Sequence, residues 1–250
     1  MSIALQSPHV AGDETNQNAH VLRGASPDLL RRAAAAVAAA RPDHPGDDPA
    51  AAGQSEIRAL ADFGRSEELM LDGSQVRKLL AQKPLKRGLE HEVGVMSGEK
   101  LVIKDYDPRL IDVDTWDIFY KPTDSLFDYL TDLMLCNHLF GDDLRLRGFY
   151  EENNQLHVII TQPYVDGTHP DWSTLVEKLE AQGLLQQEEG SAQGRFWVNA
   201  GPAGRILMTD AHEDNVIIST KTGRAELIDV HFSLGSREAR IRALQALGLF

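Results

Sequence analysis

An α+β fold is what this sequence predicts, because its strand and helix signals come in separate blocks rather than in βαβ alternation. Two strand-like runs, EHEVGV and KLVIKDY, are separated by a turn containing Gly98. One long segment, TDSLFDYLTDLMLCNHLF, then carries Leu126, Leu130, Leu133 and Met134 at helical spacing. Two more strand runs, RLRGFYE and QLHVIITQPYV, follow it around the turn residues Asn153 and Asn154.

The other elements fill in around this frame. Residues 1–54 are rich in Ala, Asp, Gly, Pro and Asn, which predicts a largely disordered extension. Within it, SPDLLRRAAAAVAAAR reads as a short Ala-rich helix with Ser26 as N-cap, and RPDHPGDDPAAAGQSE reads as linker. Residues 55–84 form a helical lead-in: SEIRALADFG and GSQVRKLLAQ each suggest a short amphipathic helix, the second ended by Pro84. DWSTLVEKLEAQG predicts a helix capped by Asp171 and ended at Gly183. RFWVNA and GRILMTD predict strands, and SREARIRALQAL predicts a closing helix.

Composition narrows the function classes. The formal net charge of −13 argues against a general nucleic-acid binder, because phosphate backbones repel such a surface. A single cysteine, Cys136, leaves no intramolecular disulfide framework and no multi-cysteine metal site, and it suits a reducing compartment. No run is long enough to cross a bilayer, and the first twenty residues carry no Lys or Arg, so neither a membrane span nor a standard signal peptide is expected. RRAAAAVAAARP resembles a twin-arginine export segment only superficially, and the helix reading is preferred.

Chemistry concentrates in TDAHEDNVIISTKTGRAELIDVHF, residues 209–232. Asp210 and Asn215 are five apart, and Asp229 lies fourteen beyond Asn215. A strand ending near Asp210, a loop holding Asn215 and a hairpin through KTGR can bring Asp229 back beside them. That places one carboxylate next to two oxygen ligands for a hard divalent cation, which keeps substrate phosphates and water in its remaining positions. Phosphoryl transfer needs this set: an acid to orient the attacking hydroxyl, and an Asn with an Asp to hold metal on the phosphates. The same stretch also contains His212-x-Asp214, which with His231 would make a two-His-one-carboxylate oxygenase site. Asp112, Asp114 and Asp117 form another acid group, without a matching ligand set, in a predicted loop.

The Asp210-to-Asn215 spacing equals that of the kinase catalytic loop, H-R-D-x-x-x-x-N. DAHEDNVI is more similar still to the D-L-H-P-x-N loop of aminoglycoside and choline-type phosphotransferases, with His212 in the histidine position, and LIDV stands where kinases carry D-F-G. From Gly88 to Phe232, the order GLEHEVG, VIKDYDP, FDYL, NHLFGDDLRLRGF, TQPYVDG and DAHEDNVI resembles the kinase-like domain of polyvalent proteins of phages and conjugative elements.

This resemblance implies a compact bilobal kinase-like fold, with an N-lobe over residues 85–165 and a minimal C-lobe over 166–250. It implies ATP and Mg²⁺ as cofactors. Lys104 would grip the α- and β-phosphates, Asp210 would be the catalytic acid residue, and Asn215 and Asp229 would hold the metal. Asp128, in FDYL, aligns with the Glu that pairs with the kinase lysine, one methylene shorter. Gln162 to Val165, Tyr164 included, stands where a hinge backbone meets an adenine edge. His212 would touch the γ-phosphate or bond the loop backbone. Plainer readings exist beside these: Lys104 as a solvated strand-end lysine, Asp128 and Asp132 on a solvated helix face, residues 162–165 as a simple strand exit, and Gly94 and Gly98 as turn residues.

The pattern departs from large kinases in three ways. Lys104 comes only ten residues after Gly94, no full G-x-G-x-x-G is present, and only twenty-one residues follow Asp229. These departures bear on peptide specificity more than on nucleotide binding. The expected function is transfer of the γ-phosphoryl of ATP to a hydroxyl on a protein or small molecule, in a bacterial cytoplasm, with an acceptor that is neutral or basic. The rivals are a pseudokinase or nucleotide-binding interaction module, an AMP transferase on the same fold, the oxygenase, and a non-catalytic interaction domain.

Overall fold

The computed structural model describes residues 22, 26, 28–40, 49–85, 91–96, 98–107, 125–187 and 194–250. Asp112, Asp114 and Asp117 lie outside the described residues. Helices and antiparallel sheets are combined in an α+β fold. Helix α1 (Asp28–Ala40) begins where predicted, with Ser26 Oγ accepting from Asp28 N at 3.3 Å. Its Leu29, Leu30, Ala33, Ala34 and Val37 recur on one face and are buried. Burying Leu30 and Val37 contributes roughly 1.5–3 kcal/mol each, so this helix packs as part of the core.

Helix α2 (Pro49–Ser66) corrects the linker reading of RPDHPGDDPAAAGQSE from Pro49 onward. Proline is pre-organised for a first helical position, and tertiary packing of Leu60 and Ala61 supplies what the weak local pattern does not. Helix α3 (Gly73–Gln82) starts at its Asp72 cap, which accepts from Ser74 N.

Strands β1 (His91–Val95) and β2 (Leu101–Tyr106) pair as the expected hairpin. Gly98 turns it at φ +82°. Gly94 sits mid-strand, where a Cβ would come within 2.7 Å of the Leu80 carbonyl, so it admits α3 onto the sheet. Helix α4 (Leu126–Phe140) runs from its Ser125 cap to Gly141 in the left-handed conformation. Nearly every residue from Leu126 to Cys136 is buried, because α1 and α2 cover the side that faces away from the sheet. β3 (Arg145–Glu152) and β4 (Gln155–Pro163) meet at Asn153 and Asn154, both with positive φ, and complete a sheet in the order β1-β2-β4-β3.

The second half is smaller. β5 (Gly167–Thr168) precedes α5 (Trp172–Ala181), whose Asp171 cap accepts from Thr174 N at 2.8 Å. β6 (Leu185–Gln186), β7 (Phe196–Asn199) and β8 (Arg205–Thr209) form three strands of a sheet completed by β11 (His231–Ser233). β9 (Val216–Ser219) and β10 (Ala225–Leu227) form the KTGR hairpin and join β5. The edge of β10 is closed by Gln182, whose side-chain amide both accepts from Ala225 N at 2.8 Å and donates to Ala225 O at 3.1 Å. Helix α6 (Arg237–Ala246) begins at its Ser236 cap. Among the described residues, no helix is long and apolar enough to cross a membrane.

Candidate active site

The register of β11 on β8 pairs His231 with Thr209, so the chain entering β11 lies alongside the chain leaving β8. Those two segments carry Asp229 and Asp210. Asp210 has φ +63°, a conformation that costs a non-glycine residue energy and is held only by its surroundings. Asn215 does much of the holding: its Nδ2 donates to Asp210 O at 3.0 Å and to Asp210 Oδ2 at 2.9 Å. Ala211 N donates to Gly194 O at 3.0 Å, closing the loop from the other side.

His212 caps the short 3₁₀ turn Glu213–Asn215, its Nδ1 accepting from Asp214 N at 3.2 Å. The ring proton is therefore assigned to Nε2, which faces Asp210 Oδ1 at 3.5 Å. The backbone bond considered for His212 is thus made. His169, which the sequence reading passed over, sits near Glu213 O at 2.9 Å and Val216 O at 3.0 Å and pins the same loop.

Asp229 follows β10. Ile228 N donates to Asn215 O at 3.0 Å, which ties the two loops together. Lys104, buried on β2, donates its Nζ to Ile228 O and lies 3.9 Å from Asp229 Oδ1. His91 Nδ1 lies 3.5 Å from Asp229 Oδ2. Burial alone would raise the pKa of Asp229, but Lys104 and then His91 outweigh it and hold the carboxyl well below the usual range. Asp210 moves the other way: burial raises its pKa, His212 and His231 oppose that, and Asp229 adds repulsion. Two neighbouring acids are thus pushed apart, one fixed as an anion and the other made a better proton acceptor.

The expected pairing of Lys104 with Asp128 is not made. Asp128 Oδ1 is held by Arg240 Nε at 2.9 Å, and the same buried guanidinium bonds Asp132, the Thr131 hydroxyl and Phe232 O. A buried cation needs partners, and Asp128 and Asp132, four apart on α4, share the face that α6 covers. His231 Nδ1 lies 3.3 Å from Asp132 Oδ2, which links this network to the strand that follows Asp229. Nor does His231 join His212 and Asp214 in an oxygenase site. No group of three or more His, Cys, Asp or Glu side chains arranged to hold a metal occurs among the described residues.

Gln162 is buried, with Nε2 donating to Leu227 O at 3.4 Å, so it braces the strand that leads to Asp229. Tyr164 N donates to Lys100 O at 2.9 Å, so that amide is committed to the sheet edge, while the residue is 41% exposed. Asp142, beyond α4, was also missed. Burial first and Glu226 second push its pKa up to about 7 against the pull of Lys104.

The family model for the serine/threonine/tyrosine kinase found in polyvalent proteins matches residues 55–236. No curated protein and no solved structure matches the chain at a significant level. The match takes in most of the 250 residues and all of Lys104, Asp210, Asn215 and Asp229, so the chain belongs to the serine/threonine/tyrosine kinase family found in polyvalent proteins.

Proposed function

We propose that the protein is an ATP- and Mg²⁺-dependent phosphotransferase that moves the γ-phosphoryl group to a hydroxyl on a protein or small-molecule acceptor. One observation carries the reading. Lys104, Asp210, Asn215 and Asp229 come from three separate stretches of chain and are joined by the Lys104–Asp229 contact at 3.9 Å, the Asn215–Asp210 bond at 2.9 Å and the Ile228–Asn215 bond at 3.0 Å.

The donor set fits Mg²⁺. Asn215 spends its Nδ2 on Asp210, which leaves Oδ1 as its acceptor, and Asp229 stays ionised and 38% exposed. Two protein oxygens are few for a protein-built cage but suit a hard cation that takes its other ligands from phosphates and water. That cation would supply charge neutralisation on the transferring phosphoryl group. Asp210 orients the acceptor hydroxyl and receives its proton, as its raised pKa favours. Lys104 holds phosphate oxygens and meanwhile fixes the Ile228–Asp229 backbone. Catalysis is then mostly positioning and electrostatics.

The test is incubation with γ-labelled and, in parallel, α-labelled ATP plus Mg²⁺, for wild type, Asp210→Ala and Asp229→Ala. Transfer of γ-label, lost in both variants, supports the proposal. Transfer of α-label would mean AMP transfer instead. Neither label moving, with no ATP hydrolysed, would count against turnover.

A further inference from the structure

His91, which the kinase motifs do not include, is a buried polar side chain beside Asp229. It opens β1, is 3% exposed, and lies against Tyr106 and Tyr129, with ring centroids 5.5 and 5.7 Å away. Those two tyrosines stack on each other at 3.8 Å, and the imidazole lies tilted against both rings. Nε2 lies 3.1 Å from Tyr129 Oη. Nδ1 is buried, makes no hydrogen bond, and points at Asp229 Oδ2 from 3.5 Å.

A buried ring nitrogen without a bond is costly unless a ligand-bound state completes it. The tautomer follows from the partner of Nδ1: an ionised carboxylate can only accept, so the hydrogen is assigned to Nδ1, which faces Asp229, and Nε2 then accepts from the Tyr129 hydroxyl. Lys104 approaches Oδ1 of that carboxylate and His91 approaches Oδ2, from neighbouring strands. Outer groups of this kind fix the orientation of a ligating side chain, and their loss lowers metal affinity.

We propose that His91 is a positioning residue for Asp229: Tyr129 holds it in the Nδ1–H tautomer, and it donates that hydrogen to Oδ2, so that the carboxylate keeps one orientation toward a bound cation. This rests on the reading of Asp229 as a metal ligand.

The experiment uses the full chain as wild type, His91→Ala, His91→Asn and Tyr129→Phe. It measures Mn²⁺ binding in the presence of ATP by electron paramagnetic resonance, beside the Mg²⁺ and ATP dependence of phosphotransfer. His91→Ala should weaken Mn²⁺ binding by about tenfold or more, and should raise half-saturating Mg²⁺ alongside with little change in KM for ATP. His91→Asn, which keeps an N–H donor near the Nδ1 position, should recover most of the loss, and Tyr129→Phe should show a smaller one. Wild-type Mn²⁺ affinity in folded His91→Ala overturns the proposal, and so does His91→Asn binding no better than His91→Ala. Should His91→Ala not fold, His91→Asn and Tyr129→Phe decide: near-wild-type and mildly weakened binding support the role, and unchanged binding in Tyr129→Phe overturns it. A wild type that binds no Mn²⁺ with ATP sinks the metal reading and this proposal together. A wild type that binds it while His91→Ala binds equally sinks this proposal alone.

Discussion

Two charged clusters lie on either side of His231, and they are built in opposite ways. Around Arg240 the partners are complete: Asp128, Asp132, the Thr131 hydroxyl and the Phe232 carbonyl surround one buried guanidinium. Around Asp229 they are not: Lys104 stands off at 3.9 Å, His91 at 3.5 Å without a hydrogen bond, and the carboxylate is 38% exposed. Saturation marks the first cluster as structural. On the proposed function, the second holds charge for the metal and nucleotide. The sequence shows acids in both, and only the identity of their partners separates the two roles.

The largest way to break this contrast is kinetic. Asp210→Asn, which tolerates the positive φ, should lower phosphotransfer by about 10²–10⁴-fold while the melting temperature stays close to wild type, measured by single-turnover labelling and calorimetry. Comparable loss of folding would put Asp210 with the structural acids. Next comes Arg240→Ala, which strands Asp128 and Asp132 and should cost about 3–5 kcal/mol in denaturant unfolding. A cost below about 1 kcal/mol, the range of exposed ion pairs, would contradict the saturated reading.

A smaller effect is expected at Asp142. Its carboxyl keeps its proton to about pH 7 in the fold, against 3.8 ordinarily. Folding therefore takes up a proton between those values, and stability falls as pH rises through that window. Asp142→Asn should melt a few degrees higher than wild type at pH 8 and show little difference near pH 4. An equal gain at both values would mean the carboxylate is not the cause. Smallest is the behaviour of Cys136, whose thiol is pushed up by burial and then by Asp142 and Asp132. A disulfide-exchange reagent should leave it unmodified at pH 8 until denaturant is added, and rapid native labelling would argue against a packed α4.

Much of the fold is legible locally. Asn153-Asn154 and KTGR encode their hairpins through positive φ, and Ser125, Asp171 and Ser236 announce helix starts through their side-chain oxygens. Asp210, Asn215 and Asp229 are also visible, because a short hairpin brings them together. Long-range partners are not. Asp128 meets a guanidinium whose residue lies 112 positions away, on a helix beyond the matched family span. His91 meets Asp229 from 138 positions away, which no local pattern reveals. The start of α2 at Pro49 was hidden for a related reason: an Ala- and Pro-rich composition resembles linker until the apolar face finds its core.

The contrast between the clusters comes to a single measurement, thermal unfolding of wild type and Asp229→Ala with and without Mg²⁺ and ATP. At about 100 times Kd, a ligand specific for the folded state adds about 2.7 kcal/mol, or about 5–10 °C for a chain of this size. Wild type should gain that shift and Asp229→Ala should lose most of it, while the Arg240→Ala protein, melting lower throughout, should still gain it. No shift in wild type, or an equal shift in Asp229→Ala, would contradict the assignment of the unsaturated cluster to a metal–nucleotide site.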